Sequence, residues 1–402
     1  MHLREHAIVL LLTLVLGVGL AAAGSASAET VLPGGTLAPG AVAPEPTAAE
    51  RVLDRMTLRQ QVGQLFMVGT AADRADPRTR AQVRRFHVGN VMLTGRSYHG
   101  VRPPARVSRA MRAQVSERST AGVGLFVGTD QEGGLVRVLQ GPGFAPMPTA
   151  LVQGGWAPAR LRSAAYRWAR ELGRAGVNLD LAPVLDTVPS PRAARHNPPI
   201  GVYDRQFGYT PRVVSRHGVA FVRGMDRGRV ATAVKHFPGL GRVRANTDTS
   251  ADVVDRVTRR HDPYLAPFQD AVDAGAPFVM MSTARYARLD PTQPAAFSPY
   301  VVTTMLRGDL GFEGVVISDD LAHARQVARV PPGRRALRFV AAGGDMVLTV
   351  DPAPLPAMYG AVLARARTHS GFRALVRAAA LRVLTAKERE GLLPRARGTG
   401  RS

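Results

Sequence analysis

The sequence predicts an α/β protein built as a single domain, on three observations. One grammar repeats along it: helical periodicity that ends at or near Gly, then four to seven apolar residues, then a polar cluster. About eight such apolar segments can be counted, most of them separated by helical patterns. The 402-residue chain contains no cysteine, so a hydrophobic core must hold it together, and about 350 residues suffice for one large α/β domain. A count of eight argues for a (β/α)₈ TIM-type barrel, whose chemistry lies beyond the C-terminal ends of the strands. A doubly wound open sheet accounts for the alternation equally well.

Residues 1–28 read as a secretory signal peptide, with Arg4 near the start, an apolar run from about Ala7 to Ala23, and Ala26-Ser27-Ala28 as a small-residue cleavage site. The apolar run is short for a membrane span, so no transmembrane segment is expected after cleavage. Residues 29–46, rich in Pro, Gly and Ala, read as a flexible linker. The domain is expected over residues 47–393. It opens with a helical stretch from Thr47 to Met56 and a first unit at Thr57 to Gly69. Further strands are expected at Val88 to Leu93, Val123 to Val127, Val177 to Val184, Val230 to Val234, Phe278 to Met281, Gly314 to Ile317 and Asp345 to Leu348. A last helix, about Phe372 to Glu390, is expected on the outside, followed by a basic, disordered tail over residues 394–402.

The formal charge is +23, which raises the question of nucleic acid. The arginines are scattered along the sequence, no nucleic-acid motif accompanies them, and Arg and Ala in place of Lys reflect biased composition. No specific nucleic-acid partner is therefore expected. With a secretory leader, the charge instead suits an anionic surface such as a cell wall. The absence of cysteine excludes a disulfide framework and lipid attachment through an N-terminal Cys.

One stretch concentrates the polar chemistry: Lys235-His236-Phe237-Pro238-Gly239-Leu240-Gly241, running on to Asn246-Thr247-Asp248. It follows an apolar run that reads as a buried strand, so its polar residues are expected in a loop beyond the strand end. Only two lysines, Lys235 and Lys387, stand against 51 arginines. A compact ammonium beside an imidazole suits hydrogen bonding to a small polar ligand. Two further polar blocks follow apolar runs, Thr129-Asp130-Gln131-Glu132-Gly133-Gly134 and Ser318-Asp319-Asp320-Leu321. Each also fits an acidic helix cap beside a turn.

The Lys235 stretch resembles the Lys-His-Phe-Pro-Gly-His-Gly signature of glycoside hydrolase family 3, in its single-domain β-N-acetylglucosaminidase-like branch. The resemblance runs from about residue 50 to 393 and implies the barrel in place of the open sheet. It implies that Asp130, Lys235 and His236 bind sugar hydroxyls, a task for which a carboxylate that accepts two bonds is suited. In Asn197-Pro198-Pro199-Ile200-Gly201-Val202-Tyr203-Asp204-Arg205-Gln206-Phe207-Gly208, Arg205 falls on the family's sugar-binding arginine, two residues having been added to the loop. Ala182-Pro183-Val184-Leu185-Asp186 also matches the family closely, and Asp186 reads as a structural residue. Leu240 departs from it, standing where a second His belongs.

Leu310-Gly311-Phe312-Glu313-Gly314 and the Ser318 block match the family's nucleophile segment, and Asp319 falls on the nucleophile. The family's proton donor is the His of an Asp-Ser-His triplet. Counted without a gap from Lys235, that triplet is Asn246-Thr247-Asp248, so Asp248 replaces the His as acid/base. An Asp there needs its pKa raised, by burial or by the charge of Asp319. An alignment slipped by two puts Ser250 on the His instead and implies a crippled enzyme. With the leader, the resemblance leads to the expectation of a secreted, monomeric, retaining glycosidase acting on terminal β-linked N-acetylglucosamine or a related β-sugar of cell-wall material, without metal or organic cofactor. The other reading is a catalytically silent sugar- or cell-wall-binding protein on the same fold.

Overall fold

The computed structural model describes residues 45–394. The expected leader, all but the last two residues of the linker and all but the first residue of the tail lie outside the described residues. Within them no helix is long and apolar enough to cross a membrane.

Two capped helices precede the first strand. In α1 (Ala48–Arg55) and α2 (Leu58–Gln64), Thr47 and Thr57 accept from the third helical amide while Glu50 and Gln60 reach back to the cap amide. Eight strands make the main sheet: β1 (Phe66–Ala71), β2 (Asn90–Thr94), β3 (Phe126–Thr129), β4 (Leu179–Asp180), β5 (Ala231–Phe237), β6 (Phe278–Met281), β7 (Val315–Ser318) and β8 (Val347–Thr349). Their order is β7-β6-β5-β4-β3-β2-β1-β8, and every neighbouring pair is parallel. The ends of this row meet. Ile317 bridges Met346, the Ser318 amide donates to Met346 O at 2.9 Å, and Ser318 Oγ accepts from the Leu348 amide at 2.9 Å. That closure decides for the (β/α)₈ barrel over the doubly wound sheet.

The connecting helices are α3 (Pro77–Arg85), α4 (Arg102–Arg112), α5 (Pro158–Arg174), α6 (Pro211–Arg227), α7 (Ala266–Asp273), α8 (Tyr300–Asp309, wound as a π-helix), α9 (Pro332–Ala341) and α10 (Leu355–Thr368). Pro at the first turn of α3, α5, α6, α7 and α9 presets the helical φ where no amide donor is needed. Strand residues alternate between two cores. Met67, Met92, Phe126, Ala233, Phe278, Met280, Ile317 and Leu348 fill the barrel, while Val68, Val91, Val127, Val234, Val279 and Val316 face the helices. Phe126 and Phe278 meet edge to face across the interior with centroids 5.2 Å apart. Cutting such a ring back to Ala costs roughly 3–5 kcal/mol.

Two expectations change. β5 does not end at Val234: it runs to Phe237, because Lys235 and Phe237 still pair with Met280 and Met281 of β6. The last helix, α11 (Ser370–Arg389), does pack on α1, α2 and α10, but its final turns also close the N-terminal end of the barrel. Val383 and Ala386 join the interior cluster there. Lys387 is fully buried beside them, donating to Gln64 Oε1 at 2.7 Å and Gly89 O at 2.8 Å. Burial pushes its ammonium well below the usual lysine range.

Candidate active site

The C-terminal ends of the strands surround a cavity of ≈ 520 Å³, and all six residues singled out in the sequence line it: Asp130, Arg205, Lys235, His236, Asp248 and Asp319. Strand geometry explains two of them. The β5–β6 register shifts between Lys235 and Phe237, leaving His236 as an extra residue, and a bulge of this kind re-aims side chains. Lys235 and His236 thus both reach the cavity although they are sequence neighbours. The Lys235–His236 and Phe237–Pro238 peptides are cis.

The cavity floor is an interlocked set of charges. Lys235 Nζ lies 2.7 Å from Asp130 Oδ1 and 2.6 Å from Glu132 Oε1. Arg205 grips the same Glu132 with two bonds, Nε to Oε2 and Nη2 to Oε1, both at 2.8 Å. A two-pronged guanidinium–carboxylate pair fixes direction as well as charge. Burial opposes the Glu132 charge, but Arg205 and then Lys235 outweigh it and hold the carboxyl down to about 2. Burial likewise opposes the Lys235 ammonium, and Asp130 and Glu132 together lift it above the ordinary lysine range. Two cations and two carboxylates leave this floor neutral with every charge partnered.

Below the floor, two aspartates act differently. Asp186, fully buried, accepts from His236 Nδ1 at 2.7 Å and from the amides of His236 (3.2 Å) and Leu240 (2.7 Å). With Nδ1 occupied, the ring presents Nε2 to the cavity. Leu240 is itself buried, and its carbonyl accepts from Asn197 Nδ2, whose Oδ1 accepts from the Ile200 and Gly201 amides near Arg205. A leucine therefore serves as loop packing where the motif has histidine. Asp180 accepts from the Gln131 amide at 2.9 Å, while its Oδ2 finds no partner. Burial raises its carboxyl well above the usual carboxylate range.

The opposite wall carries the carboxyls without cation partners. Asp320 is the structural one of its pair: its oxygens accept from the Ala322, His323 and Val350 amides. Asp319 accepts only from the Asp320 amide, at 2.8 Å, and otherwise faces the cavity. Asp248 enters from the loop after β5, with Asn246 and Thr247 beside it. The loop is tied to the segment after β7, Gln326 N donating to Thr247 O at 3.0 Å and Arg325 N to Asp248 O at 3.3 Å. Asn246 Oδ1 accepts from the Asp248 amide at 2.9 Å, so Asn246 shapes the turn that presents it. Asp248 is open to solvent at the cavity mouth, yet protein packed around its carboxyl, and then the Asp319 charge, push it up to about 6. Ser250 does not line the cavity.

Sequence reasoning passed over Glu132 and underrated Asp186. Glu132 had a signal, since it lies two residues after Asp130, and residues i and i+2 of an extended segment share a face. Asp186 stood out only as a structural residue of its block, and its task was out of reach because its partner His236 lies fifty residues away. Among the described residues no three His, Asp or Glu side chains converge as on a metal ion.

A barrel whose cavity sets partnered charges on one side against two carboxyls without cation partners on the other has the plan of a glycosidase. The chain matches the Glycosyl hydrolase family 3 N terminal domain over residues 57–386. It is 32% identical over 299 residues to a β-hexosaminidase of Stenotrophomonas maltophilia, covering 72% of this chain and 84% of that one. It is 34% identical over 274 residues to a β-hexosaminidase of Vibrio cholerae, covering 65% and 74%. The crystal structure of a β-N-acetylhexosaminidase from Beutenbergia cavernae superposes with a TM-score of 0.81 at 51% identity, over 83% of this chain and 99% of that one. The chain belongs to glycosyl hydrolase family 3, and with it to the glycosidases.

Proposed function

We propose that the protein is a retaining β-N-acetylhexosaminidase that removes terminal β-linked N-acetylglucosamine or a closely related sugar. The observation that carries this reading is the pair Asp319 and Asp248, two partnerless carboxyls facing one cavity above a floor of paired charges. The names of the relatives support the sugar class.

In the first step the Asp319 carboxylate attacks the anomeric carbon, the bond to the aglycone oxygen breaks, and Asp248 gives that oxygen its proton. In the second, Asp248, now ionised, takes a proton from water. The oxygen of that water attacks the same carbon and frees Asp319. A carboxyl raised to about 6 is half protonated in mildly acidic solution, which suits both halves of this cycle. Asp130, Arg205, Lys235 and His236 hold sugar hydroxyls, with Glu132 and Asp186 fixing Arg205 and His236.

The leader sequence supports secretion, and with it a substrate and an anionic surface in the cell wall; the protein acts as a monomer. Aryl β-N-acetylglucosaminide and aryl β-glucoside, assayed side by side, test the activity. Preferred cleavage of the first, with the β-anomer formed initially in the NMR spectrum, is the expected result. No cleavage of any activated glycoside would instead give the protein the role of a silent sugar binder. A secreted product whose N-terminus begins near Glu29, eluting at monomer size, tests the rest.

A further inference from the structure

The positive charge, scattered along the sequence, is gathered in space. Helices α3, α4, α5 and α6 follow β1 to β4, neighbours in the barrel wall, and so occupy one continuous half of its outer ring. They carry four, four, five and four arginines against two acids, Glu171 and Asp226. Helices α7 to α10, on the other half, carry six arginines and three acids. Of these six, Arg307 is ion-paired to Asp345 and Arg335 is spent on backbone carbonyls. Among the described residues no arginine of α3 to α6 has a carboxylate partner.

Within this basic half lies a recess of ≈ 170 Å³ between α5 and α6, lined by Arg162, Arg216 and Arg223 with Pro158, Val219 and Ala220. All three arginines are exposed, and none donates a side-chain hydrogen bond to a protein acceptor among the described residues. Three exposed guanidinium groups around one concavity make a local positive potential with no competing carboxylate, and a phosphate oxygen set matches their planar donors.

We propose that this recess is a phosphate-binding site and that the basic half of the barrel holds a linear phosphodiester polymer that lacks bases, a polyol phosphate of the cell envelope. Charge complementarity selects a polyanion. The surface selects against the others. The large exposed apolar side chains, among them Tyr98, Leu135 and Tyr203, lie outside α3 to α6, and the half-buried rings of Trp156 and Tyr166 are already covered by Arg160 and Arg227, so bases find no free aromatic platform and a lipid surface no large exposed side chain to bury. The partner thus binds away from the sugar cavity and tethers the protein near its substrate.

Binding of poly(glycerol phosphate) to the full chain, followed across salt concentrations, tests the site. The triple variant Arg162→Glu/Arg216→Glu/Arg223→Glu is expected to bind at least tenfold more weakly, with a log–log salt slope shallower by roughly 2–3, since each lost phosphate contact removes about 0.7–0.9. Its cleavage of a small aryl glycoside should be unchanged, which also shows that it folds. The matched variant Arg334→Glu/Arg365→Glu/Arg367→Glu on the other half should change affinity less than twofold. Equal losses from both triples would reduce the effect to net charge and overturn the site. Tighter binding to duplex DNA, or to anionic lipid vesicles, than to the polyol phosphate would overturn the occupant.

Discussion

The two sides of the cavity differ in one respect, the partnering of charge. On the floor, Lys235, Arg205, Asp130 and Glu132 neutralise one another at 2.6 to 2.8 Å and are largely buried. On the opposite wall Asp319 and Asp248 have each other's field and no cation bonded to them. Partnered charges are poor reactants but good fixed donors and acceptors, because the network has already oriented them. Unpartnered carboxyls are free to form a bond or move a proton, and burial, then the charge of Asp319, raises Asp248, the one proposed as the acid. In the proposed reaction, the division of labour between binding and chemistry follows from which charges found partners.

Breaking the reactive wall should have the largest effects. Asp319→Asn is expected to lower kcat by about 10³-fold or more on every substrate, because Asp130 and Glu132 are held by cations, Asp320 by backbone amides, and Asp248 is assigned to the proton. Activity within tenfold of the parent would remove Asp319 from that role. Next comes Asp248→Asn, expected to cost roughly 10²–10⁴-fold for substrates with poor leaving groups and far less for activated aryl glycosides, which depart without a proton. Azide should restore the second step of that variant.

The pH profile sharpens the same point. Protonated Asp248 predominates below about 6, so kcat/KM for poor leaving groups should fall as pH rises through that value, and Asp248→Asn should abolish this limb. A limb that survives in the variant would assign the titration to another group. On the floor the losses should be smaller and tied to affinity. Lys235→Ala or Asp130→Ala is expected to lower kcat/KM by roughly 10–100-fold, the scale of one charged hydrogen bond in the transition state. Normal binding and turnover in both variants would move the pocket elsewhere. Ser250→Ala, outside the cavity, should change rates less than twofold; a damaging effect there would favour the slipped alignment over Asp248.

The sequence by itself determined the elements and the local chemistry. Apolar runs and their spacing gave about eight strands, and the stretch from Thr47 to Met56 read as helical, because these features depend on near neighbours along the chain. The motif blocks, through their resemblance to a known family, brought Asp130, Arg205, Lys235, His236, Asp248 and Asp319 forward as one set. Tertiary structure alone decided what depends on distant partners. Closing the barrel rather than leaving the sheet open took the bridge between Ile317 and Met346. Holding His236 took Asp186, and raising the carboxyl of Asp248 took burial and the field of Asp319, 71 positions on. Gathering the arginines of α3 to α6 on one half of the ring took the strand order. A periodicity is read from neighbours, whereas a charge is paired, a pKa shifted and a face assembled only through space, by residues whose separation in sequence carries no trace of their meeting.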